Sequence, residues 1–128
     1  MLSLGNSVDI ATLVSAVSEI TNEQAIARVR AWIKLFVVDL NLCPFARPVV
    51  STDALRIVAC ESASPKVIAT LLITELDLLS RSSESDIATS VLVFTEGLEN
   101  FDDYLGFLDD AQIVLKEMGL DGEIPVSY

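Results

Sequence analysis

The chain has 128 residues, 52% of them hydrophobic, a mean hydropathy of +0.53 and a formal net charge of −11. That length points to one domain able to bury roughly two-thirds of its unfolded surface. With no histidine and only two cysteines, the chain lacks the commonest general base, every imidazole triad and a four-ligand zinc set of its own, so no metal or other cofactor is expected.

The charge is unevenly placed. Residues 1–74 hold six acids and six bases, whereas residues 75–128 hold thirteen acids against Arg81 and Lys116. An acidic half repels phosphate backbones, which argues against a nucleic-acid partner. It reads as a solvated face, or as a docking surface for a basic partner or a cation. The two richest apolar runs, 31–42 and 67–79, are cut by Lys34 and Asp39 and by Glu75 and Asp77. Both fall short of the ~20 apolar residues of a membrane span. No Lys or Arg precedes Arg28, so a secretory signal is not expected, and Cys43 and Cys60 read as reduced thiols in the cytoplasm.

In chain order, residues 1–7 read as an irregular start. Ile10, Leu13, Val14 and Val17 then recur at helical spacing over 8–20, a helical extension ahead of an α/β region spanning 21–128. The stretch 21-TNEQ-24 matches a capping box, and Ile26, Val29, Trp32, Ile33, Phe36, Val37 and Leu40 form the apolar stripe of the helix it opens. That helix must stop before Pro44, with Asn41 as a left-handed terminator and Leu42 folding back onto the last turn.

Downstream, 55-LRIVAC-60 reads as a buried strand, and Ser64-Pro65 opens a helix running to about Ser80. The polar loop 81-RSSESD-86 leads to a second strand, 89-TSVLVFT-95. Asn100 caps a further helix with the stripe Phe101, Tyr104, Leu105, Leu108, Ala111, Leu115 and Met118. Gly119 ends it, and Leu120 is placed for an apolar contact. Residues 122–128 read as a third strand, held to an edge by Pro125. The fold class is α/β, a helical N-terminus followed by βαβα(β) units with a small, mainly parallel sheet.

Cys43, in 40-LNLCPFARP-48, admits two readings. One is a buried, inert residue packed with Leu42, Phe45 and the Trp32–Phe36 face at a helix stop. The other is a functional thiol beside Pro44, Phe45 and Arg47. The negative end of the preceding helix disfavours a thiolate, and Arg47 opposes that effect. A second candidate site lies at the strand ends, 60-CESAS-64 and 95-TEGLEN-100, where open parallel sheets bind ligands. Ser62, Ser64 and the following helix start suit an anion, whereas Glu61, Glu96 and Glu99 suit a cation or amine. Cys60, at a strand end, is the alternative nucleophile.

The segment 42-LCPFA-46, behind a helix carrying Trp32, resembles the signature of a bacterial and plant family known as domain of unknown function 1415. Leu55-Arg56-Ile57, Leu92-Val93, Phe101 through Tyr104 and Leu120-Asp121-Gly122 are similar to it in the same order, over roughly residues 25–122. The resemblance implies no known reaction. It does imply a continuation into a strand ending in a Ser-Phe-His-Pro motif, where this sequence reads Val126-Ser127-Tyr128. Two functions stand. One is a domain that binds a small ligand or a protein partner without catalysis. The other is a thiol-dependent enzyme, or an inactive remnant of one, using Cys43 or Cys60. A strand edge left open near 122–128 leads to the expectation of a homodimer with that segment at or near the contact.

Overall fold

The structure, a computed structural model, describes residues 20–126. The helix expected over 8–20 falls outside them, Ile20 apart. Helix α1 (Asn22–Trp32) begins with the expected capping box: the Thr21 side chain accepts from the Gln24 amide, and the Gln24 side chain accepts from the Thr21 amide. It runs on into a π-helical turn, Ile33–Val38, where the amides of Asp39 and Leu42 donate five residues back, to Lys34 and Val37. Asn41, at φ +53, ends it, with its amide donating to Val38, so the left-handed stop is borne out.

The wider π turn rotates the later residues away from α-helical phase, and this corrects the expected stripe. Ala25 and Val38 are buried and Ile26, Val29, Ile33 and Val37 half-buried, but Phe36 and Leu40 are exposed, as is Trp32 just ahead of the turn. A short helix not expected from the sequence, α2 (Ala46–Ser51), follows Pro44. Its start is braced by Arg47, whose Nη2 donates to the Val38 carbonyl at 3.0 Å.

Strand β1 (Leu55–Cys60), helix α3 (Pro65–Arg81), strand β2 (Thr89–Phe94) and helix α4 (Phe101–Glu117) complete the order. The strands pair in parallel, in register from Leu55 opposite Thr89 to Cys60 opposite Phe94. Among the described residues this is a two-stranded sheet.

Side chains alternate across a strand, and the partners seen fix which face is which. The even residues meet α3 and α4: Arg56 reaches Glu75, Leu92 packs on the core, and the Phe94 and Phe107 rings meet edge to face at 5.3 Å. The odd residues point the other way, where α1 packs across both strands and Leu55 and Ile57 are buried. Helix α1, the sheet, and α3 with α4 therefore form three layers, a mixed α/β arrangement as expected.

The core proper is Leu72, Leu76, Ala111, Leu115 and Leu120, with Phe107, Val114 and Met118 against it. The α4 stripe is thus turned from the one expected. Phe107 and Val114 join it, while Phe101, 70% exposed, and Leu105 face outward. The end of α4 is as expected: Gly119 has φ +70, its amide donates to Lys116, and the amide of buried Leu120 donates to Leu115.

The third strand is not present over 122–126. The amides of Glu123 and Ile124 both donate to the Leu120 carbonyl, forming a turn from groups that a ladder would need, and Gly122 has φ +86.

Glu75, which interrupts an apolar run in the sequence, is buried. Arg56 Nε donates to its Oε2 at 2.6 Å and Nη2 to its Oε1 at 2.9 Å. That hydrogen bond raises the Arg56 guanidinium above its ordinary range, with burial acting the other way. Arg56→Met is expected to cost about 2 kcal/mol in urea unfolding, since it strands a buried carboxylate; partial exposure of Arg56 keeps the loss below that of a fully enclosed pair. An unchanged midpoint would mean that the pair contributes nothing.

Candidate functional site at the strand ends

Parallel pairing brings the last residues of β1 and β2 to one end of the sheet. Thr95 closes it, donating from both its amide, at 3.0 Å, and its hydroxyl, at 3.1 Å, to the Cys60 carbonyl. Beyond it Gly97 and Leu98 are both left-handed, at φ +73 and +53. Gly97 lies so near the β1–α3 loop that an added Cβ would stand 2.8 Å from Ala63 Cα. The two loops are therefore held together by a contact that only glycine permits.

A cavity opens on each side of Ala63. The first, of ≈ 490 Å³, runs between the amino-terminal halves of α3 and α4. It has an apolar lining that includes Ile68, Leu72 and Phe107, with Asp102, Asp103 and Asp110 among its polar residues. The second, of ≈ 480 Å³, is lined by Asn22, Cys60, Glu61, Ser62 and Glu96 together with Ala59, Ala63, Val67 and Leu71. Four residues named from the sequence, Cys60, Glu61, Ser62 and, from the loop after β2, Glu96, thus meet in one place.

Cys60 is buried, and its thiol lies 3.7 Å from the Ser62 carbonyl as a weak donor. Ser62 Oγ accepts from the Ser64 amide at 3.1 Å, which folds the loop locally. Ser64 caps α3 through its backbone alone and lines neither cavity. Asn22 was missed in the sequence, where it reads as the interior of a capping box. Its Oδ1 is buried with no hydrogen-bond partner among the described residues. Only the packing of α1 across the strands carries it to the strand ends.

The loop 40–48 forms a separate region. Cys43 is half-buried rather than enclosed, and both cysteines are free. Leu42 is 67% and Phe45 80% exposed, so the expected packing around Cys43 is corrected: the Trp32 and Phe36 rings, with centroids 6.2 Å apart, lie against each other and not over a buried thiol. Arg47 is engaged by the Val38 carbonyl. Cys43, Pro44, Phe45 and Arg47 line neither strand-end cavity.

The fold and site define a mixed α/β domain with a parallel strand pair and paired cavities beyond its carboxyl end. A family model described as a protein of unknown function, DUF1415, matches residues 24–128, and the chain belongs to that family. No curated protein and no solved structure matches the chain. Among the described residues no helix is long and apolar enough to cross a membrane.

Proposed function

We propose that this domain binds a small amine-bearing or cationic ligand beyond the carboxyl ends of β1 and β2, and holds it without transforming it. The observation that carries the reading is the convergence of Glu61, Glu96 and Asn22, whose Oδ1 has no partner among the described residues, on one cavity with no Lys or Arg in its described lining. All three are acceptors, and an amine is a donor.

The helix starts at this end favour an anion, but by less. Each is worth roughly half a charge against the two full charges of the glutamates. At α1 the Gln24 amide is already taken by Thr21, and α3 begins with Pro65, which has no amide hydrogen to offer.

A second reading, a thiol-dependent enzyme with Cys60 as nucleophile, is supported by the place of Cys60 in the same lining. It is weakened by the company: a thiolate there would share the cavity with two carboxylates and, among the described lining residues, no cation to stabilise it.

Titration calorimetry with putrescine and spermidine, and with inorganic phosphate as the anionic control, tests the proposal. Saturable amine binding is expected, weakened about 10-fold by Glu96→Gln, the equivalent of one lost charge-assisted hydrogen bond. The loop variant Glu84→Gln should change it by less than about 2-fold at physiological salt. Phosphate binding in place of amine binding would overturn it, as would amine binding equally indifferent to Glu96→Gln and Glu84→Gln. Cys60→Ser separates the two readings, since holding an amine does not need the thiol.

A further inference from the structure

We infer that the exposed apolar segment 32–45 is the contact surface for a second copy of this chain. Six large apolar residues in it are exposed: Trp32 at 55%, Leu35 at 57%, Phe36 at 47%, Leu40 at 60%, Leu42 at 67% and Phe45 at 80%. No other fourteen-residue stretch of the described residues exposes as many.

Two observations choose the occupant. The first is area. At these exposures the six side chains present on the order of 700 Å², against the ~800 Å² that each partner gives to a standard interface. That sum is comparable to one partner's half of a standard dimer contact.

The second is charge. The chain carries −11 overall, yet residues 1–74 are neutral, with six acids against six bases. The surplus of eleven acids lies wholly in residues 75–128, where one copy repels another. The neutral half is where two copies meet at least electrostatic cost, and it also bears the exposed apolar surface. Within the segment, Lys34 and Asp39 are both exposed, so a two-fold axis can set the base of each copy against the acid of the other. The π turn makes the surface: it sends Val38 inward and leaves Leu35, Phe36 and Leu40 outside.

Sedimentation velocity from low to high micromolar protein tests the inference on the full chain. The mass is expected to rise from 13.8 kDa toward twice that value. Leu42→Asp and Phe45→Asp, at exposed positions that leave the fold intact by circular dichroism, should each raise the dissociation constant at least ~10-fold. Trp32 emission should shift to the blue as wild-type dimer forms, and not in the variants. A single 13.8 kDa species at every concentration would overturn the proposal. So would a dimer that both aspartate variants leave intact, or a wild-type monomer that dimerises only when residues 1–19 are removed, which would assign the surface to the chain's own amino-terminal segment.

Discussion

Leu115→Ala should lower the free energy of unfolding by about 3–4 kcal/mol, a large part of the stability of a domain this size. Leu115 is 1% exposed and sits among Leu72, Leu76, Ala111 and Leu120, where α3, α4 and the turn after α4 meet. Truncation removes the transfer free energy of three carbons and leaves a cavity. The site can collapse little, because Ala111, at 0% exposure, has no side chain long enough to fill it. The Leu115 carbonyl also accepts the Leu120 amide that closes the helix end, so the substitution loosens the apolar contact that accompanies that bond. Urea unfolding followed by circular dichroism measures the loss, with the exposed Ile113→Ala, expected to cost less than about 1 kcal/mol, as reference. Equal losses at the two positions would place the core elsewhere.

Gly97→Ala should cost about 2–5 kcal/mol, the sum of two separate effects. At φ +73 an L-residue is strained by about 1–2 kcal/mol. The new methyl group would also lie 2.8 Å from Ala63 Cα and 3.2 Å from Ala63 Cβ, so the two strand-end loops must part, at an overpacking cost of about 1–3 kcal/mol. Gly119 separates the effects. It has φ +70 but nothing within 4 Å of an added Cβ, so Gly119→Ala should show the backbone cost alone. Ala63→Gly should restore little of the Gly97→Ala loss, because the nearer clash is with backbone. Equal costs at Gly97 and Gly119 would mean that the loop contact is not tight. Because Ala63 lines both cavities, Gly97→Ala should also weaken amine binding there, which neither Leu115→Ala nor Gly119→Ala is expected to do directly.

Much of this architecture is written in short-range chemistry. A Thr-x-x-Gln box, a proline at the start of α3, an asparagine before α4, and Asn41 and Gly119 at left-handed ends act through hydrogen bonds and φ preferences within a few residues, so the sequence by itself determined where those helices begin and end. The alternation of strand and helix likewise determined that β1 and β2 pair in parallel, because a helix between two strands returns the chain to the same edge direction.

What depended on partners distant in sequence had to wait for the tertiary structure. The stripe of α1 is regular to Leu40 in the sequence, yet the π turn changes its phase, and exposure of Phe36 and Leu40 follows from that change. Glu75 reads as a polar break until Arg56, nineteen residues earlier, is seen to neutralise it. Residues 122–126 read as a strand, but a strand exists only where a neighbouring edge accepts its amides, and here Leu120 takes two of them. At the strand ends, Cys60, Glu61 and Ser62 were legible because they follow one another along the chain. Asn22 was not, since its place in the cavity is set by how α1 lies across the sheet, and packing of that kind is the sum of many weak contacts that no local pattern records.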